Sequence, residues 1–168
     1  MDTDEIRFVY QRDGRHILMA DVKSKEARSY NMSQIKSRNT KPEVYLRKKL
    51  FSAGLRYRLY SDAIPGHPDL WLKKYNTAIF VHGCYWHRHP GCRYAYTPKS
   101  NIEFWDEKFQ KNIRRDQKVL MELRENGIRV LIIWECTVRR MMHATEQEKL
   151  VMKEVAQFLR SNDPFMEL

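Results

Sequence analysis

The 168-residue sequence predicts one α/β domain, in which helices flank a mixed β-sheet and a zinc site supports the structure. Three observations support this fold class. Helical and strand-like patterns follow one another in the order α-β-β-β-α-β-α, which is typical of a sheet covered by helices. Hydrophobic residues make up 42% of the chain, enough for a core of ordinary size. Cysteines and histidines cluster after the third strand at spacings that suit a metal ion.

The first helix and the three strands after it have recognisable boundaries. Thr40 can cap the helix, Pro42 lies in its first turn, and Gly54 ends it. The strands are predicted from short apolar or alternating segments bounded by turn residues. They cover residues 55–60, 69–73 and 77–81, with a turn at Tyr75 and Asn76 between the last two.

The second half of the domain begins with a long helix predicted over residues 102–126. Its apolar residues recur roughly on one face, and Gly127 stands just past its end. These apolar residues are Trp105, Phe109, Ile113, Leu120 and Leu123. A run of valine, leucine and isoleucine predicts a buried strand over residues 128–134, and a last helix covers about residues 145–160.

The charge of the chain favours a nucleic-acid partner. Lysine and arginine number 31 against 21 acidic residues, giving a net charge of +10 and a pI near 9.6. The sequence contains no apolar run long enough to cross a membrane and no signal-peptide core near its start. The three cysteines are an odd number, which argues against a secreted disulfide scaffold. We therefore expect a cytoplasmic, reducing location, where cysteines more often bind metal.

Four residues form the candidate zinc site: Cys84, His89, Cys92 and Cys136. The local spacing Cys-x4-His-x2-Cys lets one loop wrap a metal, and the Pro-Gly pair before Cys92 favours the necessary turn. Thiolate and imidazole suit zinc, and four protein ligands leave no open position, so the site would be structural. His87 could replace His89 as the ligand, and both alternatives remain open from spacing alone.

The candidate catalytic acids give weaker patterns. Asp69 follows a proline at a strand start and could bind Mg²⁺, as in the Pro-Asp…(Asp/Glu)-x-Lys core of many nucleases. Phe80 and His82 stand where that core has an acid and a lysine. Glu43 is a second candidate, although a glutamate in the first turn also complements the helix dipole. Asp116 falls near the apolar face of the long helix, where we expect a buried salt bridge.

Taken as a whole, the sequence resembles the very-short-patch repair (Vsr) DNA mismatch endonucleases. The most specific match is the segment His82-Gly83-Cys84-Tyr85-Trp86-His87. The other matching segments are residues 19–22, Arg28-Ser29 with Asn31-Met32, 65–69, 79–81, 103–105, 130–132 and 134–136. The resemblance extends from about residue 19 to residue 160. It implies a restriction-endonuclease-like fold with a structural zinc, and it divides the chain into an extension (1–18), a DNA-contacting arm (19–41), a nuclease domain (42–162) and a C-terminal tail (163–168).

The resemblance also implies an activity and a set of site residues. Vsr enzymes nick one strand of double-stranded DNA beside the thymine of a T·G mismatch, which starts repair of deaminated 5-methylcytosine. By position, Asp69 would bind catalytic Mg²⁺ with the main-chain carbonyl of Val81. Glu43 and His82 would hold metal-bound water, and His87 would assist proton transfer from the attacking water.

DNA recognition is implied for three further residues. Tyr85 and Trp86 match an aromatic pair that wedges into the duplex from the major groove, and Met32 matches a residue that enters from the other side. We expect a monomer in the bacterial cytoplasm, associated with the nucleoid, with mismatch-repair proteins as further partners. Two alternatives remain: a restriction-type endonuclease of the same fold with a different target, and a non-catalytic DNA-binding module stabilised by zinc.

Overall fold

The computed structural model describes residues 9–12, 15–18, 30 and 38–168 of the chain. The chain divides into two units, Met1–Ser37 and Arg38–Leu168. In the first unit, strands β1 (Val9–Arg12) and β2 (Arg15–Leu18) pair antiparallel as a hairpin within the predicted extension. Met32, like most of the predicted arm, lies outside the described residues.

The second unit is built around one mixed sheet, as the sequence predicted. Its strands lie in the order β3-β4-β5-β6-β7, with antiparallel pairing from β3 to β5 and parallel pairing from β5 to β7. The strands are β3 (Arg58–Leu59), β4 (Leu70–Leu72), β5 (Thr77–His82), β6 (Arg129–Trp134) and β7 (Phe165–Glu167). The α-helices are α1 (Lys41–Ser52), α2 (Ile102–Glu125), α3 (Glu135–His143) and α4 (Thr145–Arg160).

Local sequence explains where the main elements begin. The Thr40 side chain accepts a hydrogen bond from the main-chain N–H of Glu43, so the predicted N-cap of α1 is confirmed. Asn76 adopts the left-handed conformation between β4 and β5, as expected for a turn asparagine. Its carbonyl accepts from the N–H of Arg129 and its side chain donates to the carbonyl of Gly127, which aligns the starts of β5 and β6.

The core occupies both faces of the sheet, because successive residues of a strand point in opposite directions. One face packs against α1, α3 and α4, and the other packs against α2. The buried residues of the first face include Leu46, Leu70, Ile79, Leu131, Ile133, Val138 and Val155. Those of the second include Ala78, Phe80, Leu123, Val130, Ile132 and Trp134. The central strands β5 and β6 are therefore buried on both sides, which holds their ends rigidly.

Three elements differ from the sequence prediction. The strand expected over residues 55–60 is only the pair Arg58–Leu59, at the edge of the sheet. The residues directly after β6 form helix α3, which the sequence analysis did not predict. The expected tail at residues 163–168 contains β7, which pairs parallel with β6 through Val130 and Phe165. Across the described residues, no helix has both the length and the apolar character that a bilayer crossing requires.

Candidate active site and metal centre

The loop that follows β5 places neighbouring side chains in different surroundings. It is tightened by hydrogen bonds from the N–H of His87 to the carbonyl of Gly83 and from the N–H of His89 to the carbonyl of Cys84. Arg88 has a φ of 54°, in the left-handed region that residues other than glycine rarely adopt. This turn separates the two histidines on either side of Arg88, so that they belong to different clusters.

His89 lies with the three cysteines, in one of the two candidate metal-binding clusters of the described residues. The ligand atoms of Cys84, His89, Cys92 and Cys136 all lie within 4.8 Å of one another. The Nδ1 atom of His89 is 3.6 Å from the Sγ of Cys84 and 3.4 Å from the Sγ of Cys136. Three sulfurs and one imidazole nitrogen are a donor set that fits a closed, structural zinc site. Burial lowers the pKa of His89, which favours the neutral imidazole that a metal requires.

His87 lies instead with His82 and Asp116, whose polar atoms form the second cluster. The rings of the two histidines stack with their centroids 3.9 Å apart. The Nδ1 of His87 is 2.6 Å from the Oδ2 of Asp116, which is contributed by α2. Because a carboxylate only accepts hydrogen bonds, Nδ1 carries the proton and Nε2 keeps its lone pair. The geometry thus holds His87 in the tautomer that can accept a proton at Nε2.

The electrostatic environment keeps this cluster in defined protonation states. Burial raises the pKa of Asp116, but the hydrogen bond and charge of His87 outweigh it, so the pKa is lower than usual and the carboxylate is ionised. Burial, together with the charge of His87, lowers the pKa of His82 to about 3. His82 is therefore neutral at physiological pH and offers a nitrogen lone pair.

Asp69 lies immediately before β4 and next to the end of β5. Its Oδ2 accepts a hydrogen bond of 2.8 Å from the main-chain N–H of Val81, which brings the two residues side by side. Burial is the main cause that raises the pKa of Asp69 to about 6, and the nearby charge of Glu43 adds to it. A buried carboxylate whose ionisation is opposed by a neighbouring negative charge fits a divalent cation with a preference for oxygen ligands.

Glu43 is buried at the start of α1 and makes an unusually complete set of contacts. Its Oε1 accepts a hydrogen bond from the hydroxyl of Thr40, which in turn accepts from the main-chain N–H of Glu43, so the two residues cap α1 together. Its Oε2 accepts from the N–H of Asn39, from the guanidinium of Arg47 and from the hydroxyl of Tyr60. The helix-terminus role considered for Glu43 is therefore present, and the same contacts fix the position of its carboxylate.

Tyr85 and Trp86 belong to an aromatic cluster between the loop and α2. Their rings are perpendicular with centroids 5.0 Å apart, and both pack against Trp105. Tyr85 also packs against Phe109, and the ammonium of Lys108 lies 5.5 Å from the ring of Trp86. Both rings are half-buried. Burial raises the pKa of Tyr85 to about 12, so its hydroxyl stays neutral.

Sequence reasoning missed the partners that organise these residues. Asp116 was expected to form a buried salt bridge, and its position on the apolar face of α2 was the signal that it had an inward partner. The i, i+4 spacing of Glu43 and Arg47 on α1 was a signal for their ion pair, whereas nothing in the pattern indicated that Tyr60 contacts Glu43. Trp134 was also missed: its ring stacks on His89 with centroids 4.1 Å apart and packs edge-on against His82. The candidate metal centre and the histidine cluster therefore both contact the ring of Trp134.

Comparisons with known proteins converge on nucleases. A family model described as DNA mismatch endonuclease Vsr matches residues 20–93. The type II nicking enzyme V.NmeAIP of Neisseria meningitidis serogroup A is 41% identical over 137 residues, covering 82% of this chain and 97% of the relative. The type II nicking enzyme V.XorIIP of Xanthomonas oryzae pv. oryzae is 42% identical over 118 residues, covering 70% and 86%. The DNA mismatch endonuclease Vsr of Escherichia coli strain K12 is 42% identical over 129 residues, covering 77% and 82%.

Proposed function

The chain belongs to the Vsr family of DNA mismatch endonucleases and is a DNA nicking endonuclease, and from this premise we propose that it cuts beside the thymine of a T·G mismatch with the help of Mg²⁺. The product would start repair of deaminated 5-methylcytosine in the bacterial cytoplasm. The observation that carries the proposal is the hydrogen bond of 2.6 Å between His87 and Asp116, in a cluster whose second histidine, His82, stacks on His87. Because the chain belongs to a family of nucleases, we set aside the alternative that it is a non-catalytic DNA-binding module.

His87 is the proposed general base. Asp116 orients the imidazole through Nδ1, which leaves Nε2 to take a proton from the water that attacks the phosphodiester. The carboxylate of Asp116 also stabilises the imidazolium that forms when the proton is transferred. His82 stacks on the same ring and is held neutral by burial, so it can hold water near the phosphate without competing for this proton.

Asp69 and the main-chain carbonyl of Val81 would hold the catalytic Mg²⁺, with Glu43 holding water around it. When bound, the ion supplies Lewis-acid activation and charge stabilisation at the scissile phosphate. The hydrogen bond from the Val81 N–H directs Oδ2 of Asp69, and no described residue donates a hydrogen bond to Oδ1. Asp69 thus retains an oxygen for an ion that prefers carboxylate and water ligands.

The second cofactor in the proposal is a structural Zn²⁺ held by Cys84, His89, Cys92 and Cys136. The first three ligands come from the loop after β5, and Cys136 comes from the first turn of α3. A metal held by all four would close this loop against the end of β6. Since the loop carries His87, zinc would contribute to catalysis by holding the general base in place.

Recognition of the mismatch is assigned to Tyr85 and Trp86, with Met32 entering from the other side. Double-stranded DNA fits the net charge of +10, because lysine and arginine contacts to phosphate supply affinity that is largely independent of sequence. A mismatched pair is easier to unstack than a matched pair, so inserted aromatic rings can discriminate between them. A restriction-type endonuclease with another target is the second candidate, because several relatives are named type II nicking enzymes.

One experiment tests the whole proposal. Duplexes that differ only in a T·G or T·A pair are incubated with the protein and Mg²⁺, and nicks are located on a denaturing gel. We expect nicking beside the thymine of the T·G duplex alone. Asp69→Ala should abolish it and leave binding largely intact, whereas the matched control Asp163→Ala, an exposed carboxylate at the start of the C-terminal segment, should behave as wild type. Near wild-type nicking by Asp69→Ala, or equal cutting of both duplexes, would refute the assigned site or target respectively.

A further inference from the structure

Tyr96 is the most exposed member of the aromatic cluster around Tyr85 and Trp86, the pair proposed above as the wedge that enters the duplex. Its side chain is 65% exposed, whereas Tyr85 and Trp86 are half-buried. The centroid of its ring is 5.1 Å from that of Tyr85, and the two rings are tilted by 48°. Tyr96 therefore extends the aromatic surface outward from the two residues assigned to mismatch recognition.

The backbone at Tyr96 is held in place by Arg88, which lies in the loop after β5. One terminal nitrogen of the guanidinium donates to the carbonyl of Tyr96 at 3.0 Å, and the other donates to the hydroxyl of Thr97 at 2.9 Å. The guanidinium carbon lies 4.3 Å from the ring centroid of Phe109, on which Tyr85 also packs. Arg88 thus connects the backbone at Tyr96 with the ring of Phe109, on which Tyr85 packs.

We propose that Tyr96 is a third aromatic contact to DNA, stacking on a base or sugar beside the mismatch, and that Arg88 is its positioning residue. The inference rests on the proposed function, because it takes Tyr85 and Trp86 as the DNA-facing residues. An exposed ring on a held backbone loses little conformational freedom when a flat partner covers it, which favours stacking. Nucleic acid is favoured as the partner because the ring adjoins the proposed wedge and because Lys108 and Arg88 add positive charge to the cluster.

The test compares Tyr96→Ala with two matched variants. Tyr96→Phe keeps the ring without the hydroxyl. Tyr94→Ala removes another tyrosine of the same loop, whose ring lies near the guanidinium groups of Arg93 and Arg139 instead of Tyr85. Binding of T·G and T·A duplexes is measured by fluorescence anisotropy at one salt concentration, nicking is measured at saturating protein, and thermal unfolding verifies that each variant is folded.

We expect Tyr96→Ala to bind the T·G duplex about 5- to 150-fold more weakly, the range that corresponds to loss of one base–aromatic stack. Its nicking rate at saturation should stay within about threefold of wild type, because the proposed catalytic residues are unchanged. Tyr96→Phe and Tyr94→Ala should bind as wild type. Unchanged binding by Tyr96→Ala, or an equal loss in Tyr94→Ala, would overturn the inference.

The role of Arg88 is tested by a double-mutant cycle. If Arg88 acts through Tyr96, the variant carrying both Arg88→Ala and Tyr96→Ala should lose clearly less binding free energy than the sum of the two single losses, since only the charge of Arg88 contributes independently. Losses that simply add would overturn the positioning role. Failure of the proposed function is a separate result: wild type would then bind T·G and T·A duplexes equally, while Tyr96→Ala would still weaken both if its contact with DNA is real.

Discussion

Replacing Asp69 by asparagine is expected to abolish nicking and yet stabilise the fold at neutral pH in the absence of Mg²⁺. Burial and the charge of Glu43 raise the pKa of Asp69 to about 6 from its ordinary value of 3.8. At about 1.4 kcal/mol for each pH unit, an ionised Asp69 destabilises the folded state by about 3 kcal/mol relative to the neutral side chain. Asparagine keeps the shape and carries no charge, so the Asp69→Asn variant avoids this cost.

The sign of the effect determines the pH profile. Because the folded state binds this proton more tightly than the unfolded state, the stability that it contributes is fully present below pH 4. It is lost progressively as the pH rises through about 6. Wild type should therefore lose up to about 3 kcal/mol of unfolding free energy from this group between pH 4 and pH 7, while Asp69→Asn should not.

Urea denaturation of both proteins at several pH values measures the difference. Mg²⁺ is left out by dialysis, since a chelator would also remove zinc from the cysteine site, and Asp163→Asn serves as the exposed-carboxylate control. Adding Mg²⁺ should then stabilise wild type and leave Asp69→Asn unchanged. If Asp69→Asn is no more stable than wild type at pH 7 and has the same pH profile, burial does not raise the pKa of this carboxylate and the reasoning is wrong.

Three further substitutions test the other assigned groups. Cys136→Ser should lower bound zinc from one per chain and destabilise the fold by several kcal/mol, on the order expected for a structural site; absence of zinc from freshly purified wild type would contradict this. Trp86→Ala should lose about 5- to 150-fold of the T·G over T·A preference at constant salt, so an unchanged preference would return Trp86 to a packing role. Asp116→Asn should slow single-turnover nicking by about 100-fold or more with duplex affinity unchanged, because His87 would lose its tautomer; a wild-type rate would exclude the pairing from catalysis.

Much of the fold was predictable because its main elements have local signals. Thr40 and Pro42 mark the start of α1, and the apolar face followed by Gly127 marks α2. The strands β5 and β6 are nearly continuous apolar runs, as expected for strands buried on both faces. The strand β7 was missed because its three residues are held in the sheet by pairing with β6, a contact distant in sequence.

The candidate metal centre was more predictable than the catalytic cluster. Three of the four metal-ligand candidates lie within nine residues, and the structure places His89, rather than His87, beside the cysteines. The pairing of His87 with Asp116 joins residues 29 positions apart, which only the packing of α2 on the sheet brings together. The protonation states could not be predicted from the sequence, because burial shifts the pKa of Asp69 and of His82 away from the values usual for their residue types.

Tyr85, Trp86 and His87 are consecutive residues, so the proposed sensor of the mismatch and the proposed proton acceptor share a backbone. A displacement of the aromatic pair by a well-stacked, matched duplex would be transmitted to His87 through covalent bonds rather than through a chain of side-chain contacts. His87 needs Asp116 at 2.6 Å, so even a small displacement would disengage it. Selectivity would then arise twice, once as affinity and again as turnover, and a matched site that is bound by chance would be left uncut.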